Sequence, residues 1–204
     1  MTELKPNKTI QPTSSLTLLL LAAFAMFFLS SCATLKKGDC VEGNWAGIGF
    51  NDAAAGLKAD SQFRAHTKAC SKFKISPNVG VYKAGYTKGL AKFCTTTNGF
   101  YYGANKSEYY GICPAGTQQG YLKGYLAGLD NATVALSKEI SSLRHARRRA
   151  IHRHRGPKRH NNSGPKKTKK GRDRINSLEL RIDSRRDDRR KLRRWHDFWA
   201  TKLR

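Results

Sequence analysis

The chain has 204 residues, with 39 Lys and Arg against 14 Asp and Glu, a formal charge of +25 and 10% aromatic residues. That length suits one small domain plus extensions and excludes two full domains, and the aromatic content is enough for a core. The charge is uneven: residues 144–204 carry 24 Lys and Arg against 6 Asp and Glu, which is +18 of the total, and a tail this basic implies a polyanion or an anionic surface as partner.

Residues 1–15 are polar and include Lys5 and Lys8, and Leu16 to Leu29 is almost wholly apolar. Fourteen residues fall short of the roughly 20 that span a bilayer, but they suit the apolar region of a signal peptide. Leu29-Ser30-Ser31-Cys32 follows. It resembles the bacterial lipobox, an aliphatic residue and two small ones ahead of a cysteine. That resemblance implies a lipoprotein signal peptide over residues 1–31 and a lipidation site at Cys32, with diacylglycerol on the sulfur and an acyl chain such as palmitate on the amine. Several chains anchor stably, because each buried methylene contributes about 0.8 kcal/mol. Residues 32–38 are then a lipidated linker. Ala33 stands where an Asp would hold an enteric lipoprotein in the inner membrane, so the expected location is the outer membrane, facing the periplasm.

Of five cysteines the lipobox takes one, leaving Cys40, Cys70, Cys94 and Cys113. Four cysteines in an oxidising compartment read as two disulfides. Three connectivities are open, and Cys40–Cys70 with Cys94–Cys113 is favoured because short loops close most easily. There is no C-x-x-C pair, so neither a metal site nor a cofactor is expected.

The compact part is read as residues 39–131, mainly α. Trp45, Ile48, Gly49, Asp52 and Gly56 recur at helical spacing, as do Phe63, His66, Cys70 and Phe73 after a cap at Asp60 or Ser61. Ser76-Pro77 is a helix start, with Tyr82, Tyr86, Leu90 and Phe93 on one face. Residues 95–116, rich in Thr, Gly, Asn and Tyr, read as an ordered loop pinned by Cys94 and Cys113. Helical spacing returns over 117–129. A weak repeat places Gly49, Gly85 and Gly124 36 and 39 residues apart, each followed by a second glycine. Glycines at i, i+4 in a helix cost up to about 1 kcal/mol each against alanine, which makes sense where another backbone crosses closely. The expectation is a small disulfide-bridged helical domain with GxxxG-type packing.

Residues 132–204 read as a basic, coiled-coil-like helical tail with a flexible linker at 153–172. Leu136, Ile140 and Leu143 begin a stripe that Arg147 breaks, and Ile175, Leu178, Ile182, Leu192 and Trp199 form another that Arg185 and Arg189 interrupt. Two such helices would fold back as an antiparallel hairpin, since one alone is marginal in water.

Trp45, Gly49, Asp52, Gly56, His66, Cys70, Tyr82, Gly85, Gly89-Leu90, Cys94-Thr95, Gly99-Phe100, Gly103, Tyr110 and Cys113-Pro114 together carry a family resemblance. The stretch resembles a family of small Gram-negative envelope lipoproteins known only as a domain of unknown function. That resemblance covers about 90 residues and implies the layout of lipobox, four-cysteine core and charged coiled-coil-like tail. It implies no activity. The tail departs from the family pattern in being more basic and less regularly heptad-patterned.

Three functional readings arise. In the first, a binding or structural lipoprotein presents a cationic stretch to an anionic envelope polymer or lipid, such as peptidoglycan or lipopolysaccharide. The residues assigned are Arg147, Arg148, Arg149, Arg153, Arg155, Lys158, Arg159, Lys166, Lys167, Lys169 and Lys170. Nucleic acid is not the expected partner, since the core has no recognition motif. In the second, Asp52 and Glu108 act as paired carboxylates of a glycan hydrolase. In the third, the helical tail is an adaptor for a protein partner. His66 and Cys70 at i, i+4 have chelating spacing, but a disulfide at Cys70 with His66 packed beside it is the preferred account. Phe100, Tyr101, Tyr102, Tyr109 and Tyr110 form either a sugar-stacking cluster or a cover for the bundle.

Overall fold

The computed structural model describes residues 35–155 and 168–203. The expected signal peptide, Cys32, and the linker residues Lys158, Arg159, Lys166 and Lys167 lie outside the described residues. Among those described there are seven helices and no strand: α1 Lys37–Glu42, α2 Trp45–Ala54, α3 Ala59–Ser71, α4 Val79–Phe93, α5 Thr96–Ala104, α6 Ala115–Arg155 and α7 Lys169–Ala200. The mainly α, disulfide-bridged class expected from spacing is the class that forms, and no described helix is long and apolar enough to cross a membrane.

The described residues fall into two compact units. The smaller comprises residues 35–43 and 65–77. Here the six-residue α1 is far below the length at which a helix persists alone. It is held by the Cys40–Cys70 disulfide, both half-cystines being buried, and started by Asp39, whose carboxylate accepts the Lys36 N–H at 2.8 Å. Phe73, expected on the buried face of α3, lies beyond that helix and is 37% exposed.

The larger unit comprises residues 44–64, 78–155 and 168–203. Its first part is built twice. In both copies a short helix crosses a longer one, with glycines at the crossing: α2 on α4, then α5 on α6. A Cβ on Gly85 would collide with the Ala46 carbonyl of the first short helix, and a Cβ on Gly124 with the Thr96 carbonyl of the second. Gly49 faces the Tyr82 carbonyl as Gly99 faces that of Tyr121, and Gly89 faces Phe50 as Gly128 faces Phe100. The short helices also end alike. Leu57 N–H donates to the Asp52 carbonyl at 3.0 Å and Ser107 N–H to that of Tyr102 at 3.0 Å. Gly56 and Lys106 take the left-handed conformation, at φ 79° and 60°. The long helices then lock those ends: the Tyr86 hydroxyl donates to the Leu57 carbonyl at 2.6 Å and the Tyr125 hydroxyl to the Ser107 carbonyl at 2.9 Å.

This arrangement corrects the reading of the repeat. Gly49, Gly85 and Gly124 are not three copies of one helix; the counterpart of Gly49 is Gly99, and that of Gly85 is Gly124. It also corrects residues 95–116, where α5 forms in place of a loop. Thr95 caps α5, its Oγ1 accepting the Asn98 N–H at 3.1 Å, but Thr, Asn, Gly and Tyr have weak helix propensity. The helix exists because Gly99 and Gly103 let it lie directly on the α6 backbone. At α4 the cap is Asn78, accepting from Val81 N–H at 3.0 Å, so Ser76-Pro77 precedes the helix. Gly56 likewise ends α2 and is not part of it. Phe93, stacked on Tyr121 at 5.1 Å and edge-on to Tyr102 at 5.2 Å, joins the two pairs.

The 41-residue α6 runs without a break through the expected boundary at 131/132, because no proline or left-handed residue interrupts it. Leu122, Leu129, Leu136, Leu143 and Ala150 recur every seven residues and are all buried. α7 answers with Ile175, Leu178, Ile182, Arg185, Arg189, Leu192, His196 and Trp199 in alternating steps of three and four. The two helices are antiparallel, as their cross-links show: Arg147 pairs with Glu179, Arg185 Nε with Glu139 at 2.8 Å, and Arg189 with Ser137 Oγ at 3.2 Å. Arg185 and Arg189 therefore do not interrupt the seam; they sit in it, matched to polar residues opposite. The Glu139 carboxylate holds the Arg185 guanidinium charged and raises its pKa further. Their positions identify one register, because a slip by a heptad would set Arg185 against Ala132 or Ala146 in place of Glu139. The expected linker at 153–172 is shortened at both ends, since α6 continues to Arg155 and α7 starts at Lys169 behind Thr168, whose Oγ1 accepts the Gly171 N–H at 3.2 Å.

Candidate anion-binding site

The charge of the tail is not spread evenly along the hairpin. In the half of α7 toward its C-terminus, several cations meet acids or aromatic faces, while Arg193 and Arg194 are exposed. Arg186 pairs with Asp183 at 2.9 Å, Arg190 with Asp187, and Lys191 lies over the Trp195 ring at 4.5 Å. Trp199 returns to the core, 4.8 Å from the Tyr109 ring, so this end of the tail is packed rather than free.

At the other end the last turns of α6 meet the first turns of α7. Arg148, Arg149 and Arg153 are exposed, as are Lys169 and Lys170. Arg147 is different: its ion pair with Glu179 occupies its charge. Arg155 closes α6. Between the helix ends lies an open cleft of about 340 Å³ lined by Ala150, Arg153, His154, Thr168, Lys170, Gly171 and Arg174, with no carboxylate among the described residues that line it. Gly171 lets the helix ends approach beside the cleft, because a Cβ there would overlap the His154 ring. A second cleft further along, of about 230 Å³, includes Glu179 and is already neutralised in part. Sequence reasoning placed Arg153 and Lys170 in the basic stretch but missed Arg174, which joins them only because the hairpin folds back in this register.

The other candidates are placed differently. Asp52 lies in α2 and accepts a hydrogen bond from the Tyr82 hydroxyl at 2.8 Å, while Glu108 is exposed in the connection after α5, and no hydrogen bond or ion pair joins it to Asp52. His66 is buried at 3% exposure, and Cys70, four residues on, has its sulfur in the disulfide and offers no thiolate to a metal. No group of three or more His, Cys, Asp or Glu able to hold a metal exists among the described residues. The aromatic cluster divides. Tyr109 is buried, Tyr102 packs on Phe93, Tyr110 is 45% exposed beneath the Lys58 ammonium, and Tyr101 is 59% exposed.

The buried tyrosines carry a testable pH dependence. Burial pushes the Tyr125 hydroxyl up to about 12 and moves Tyr82 and Tyr121 in the same direction, with the Asp52 hydrogen bond adding to burial at Tyr82. In the unfolded chain these groups ionise near 10, so the unfolded state loses its protons first. Stability is therefore full below pH 10 and falls between pH 10 and 12 by about 1.4 kcal/mol per unit for Tyr125 alone. Denaturant midpoints measured across that window should fall steeply for the parent protein and less so for Tyr125→Phe. Equal slopes would mean that Tyr125 is not protected from titration.

The comparisons with known proteins cover the paired helices. No curated protein and no solved structure matches the chain. The family described as "Protein of unknown function (DUF2799)" matches residues 44–130, from the cap of α2 into α6, which takes in both glycine-crossed pairs and leaves out Cys40 and most of the basic hairpin.

Proposed function

We propose that the protein is a lipid-anchored envelope protein of binding or structural role, held through Cys32 on the periplasmic face of the outer membrane, whose basic hairpin contacts an anionic envelope polymer or lipid. The observation that carries this reading is the open end of the hairpin, which presents cations around a cleft with no carboxylate among the described residues that line it, whereas Arg186 and Arg190 further along α7 are matched to acids. Clustered like charges repel and weaken the fold, so an array left uncompensated favours a counter-charged partner. The lipobox resemblance supports the anchor.

Co-sedimentation with purified peptidoglycan or lipopolysaccharide vesicles across a salt series tests the contact. Deleting residues 144–204 is a poor variant, because α7 covers Ile140 and Leu143 and its end packs on Tyr109. Replacing Arg148, Arg149, Arg153, Lys169 and Lys170 by Gln keeps those contacts. Binding by the parent that weakens with salt and is lost in the variant is the expected result. Undiminished binding by the variant would move the contact elsewhere. Metabolic labelling with a fatty-acid analogue tests the anchor separately, with Cys32→Ser expected to abolish incorporation.

A further inference from the structure

The open-end cleft brings cations from both helices to one small space. Arg153 comes from α6, and Lys170 and Arg174 come from α7, and His154 and Gly171 line the same space. None of the three cations has a carboxylate partner among the described residues. Three donors around one cleft exceed what a carboxylate uses, since one guanidinium satisfies both of its oxygens. They match a phosphomonoester, which carries nearly two charges and three acceptor oxygens.

The helix end points the same way. Lys169, Lys170, Arg172 and Arg174 crowd the first two turns of α7, where the helix dipole is already positive, with only Asp173 among them in opposition. Cations are disfavoured at that end. The Gly171 N–H is used by Thr168, while those of Lys169 and Lys170 have no partner within the helix. A bound dianion would offset about two of those charges.

We propose that this cleft is a phosphomonoester-binding site, with Arg153, Lys170 and Arg174 as its ligands. The proposal rests on the anionic-partner reading above and specifies its chemistry. A lipid headgroup and free phosphate share that chemistry, so the experiment separates them.

The full mature chain carrying Cys32→Ser, with both disulfides formed, is titrated calorimetrically with inorganic phosphate and with acetate. It is then titrated with phosphatidylcholine vesicles containing phosphatidic acid, a monoester, or phosphatidylglycerol, a diester, at matched surface charge. Arg153→Gln with Arg174→Gln is compared with Arg193→Gln and Arg194→Gln, which remove the same charge from exposed positions outside the cleft. The expected result is preference for phosphate over acetate and for phosphatidic acid over phosphatidylglycerol. Affinity should fall by about tenfold or more in the cleft variant and by less than about threefold in the control. Phosphate binding without the vesicle preference keeps the site and assigns it to a free phosphate. Equal losses in the two variants overturn the cleft and leave the electrostatic contact standing. No binding to any anion overturns both.

Discussion

Replacing Gly85 or Gly124 by alanine is expected to destabilise the larger unit by about 3 kcal/mol or more, enough to unfold a small domain of ordinary stability. The added methyl group meets a backbone carbonyl, of Ala46 in one case and Thr96 in the other, and neither can swing aside as a side-chain tip would. The two helices would have to separate, and separation would uncover Tyr82 or Tyr121, which are 1% and 0% exposed. Gly116→Ala is the control. It lies in the first turn of α6 with nothing within 4 Å of its Cβ position, and alanine there should be neutral or stabilising by up to about 1 kcal/mol. Urea unfolding followed by circular dichroism checks both. Near-parental stability for both crossing variants would mean that the helices do not meet through their glycines. Because the pairs are equivalent, Gly85→Ala and Gly124→Ala should cost similar amounts.

The second large effect belongs to the disulfides. Loop closure predicts about 3 kcal/mol for Cys94–Cys113, which closes 19 residues, and about 4 kcal/mol for Cys40–Cys70, which closes 30. The consequences differ in kind. Cys94–Cys113 joins the ends of the segment that contains α5 and Tyr109, whose hydroxyl accepts the Cys113 N–H at 3.0 Å, so Cys94→Ala with Cys113→Ala should lower the main unfolding transition. Cys40–Cys70 holds a six-residue helix too short to persist on its caps alone, so its removal should release α1 while the larger unit unfolds at its usual midpoint. Hydrogen exchange distinguishes the two. Loss of protection confined to residues 35–43 and 65–77 is expected for the Cys40 and Cys70 variant. Uniform loss along the chain would show that the smaller unit is required for the larger.

The helical class, the buried face of α4 and the favoured cysteine pairing were legible, because periodicity and short loop closure are local properties of a chain, whereas the start of α4 was placed at Ser76-Pro77, ahead of its cap at Asn78. The concentration of charge after residue 144 was equally plain. α5 was not. Its residues are poor helix formers, and the signal that it was a helix lay in another segment: Gly99-x3-Gly103 is the counterpart of Gly49-x3-Ala53, matched to Gly124-x3-Gly128 on α6 as the latter is to Gly85-x3-Gly89 on α4. Read as pairs, those spacings would have revealed it.

Local pattern in the chain was enough to place most of the helices and the concentration of charge. Which helices cross, and which cations remain free, only the tertiary structure decided. Arg147 and Arg153 are alike in sequence, six residues apart in a basic run. Folding back of α7 sets Glu179 against the first and Lys170 and Arg174 around the same cleft as the second. The register responsible is marked by polar contacts between residues 46 and 52 positions apart, Arg185 with Glu139 and Arg189 with Ser137. Pairing over such separations depends on which seam residues match across the hairpin, and no local pattern encodes that.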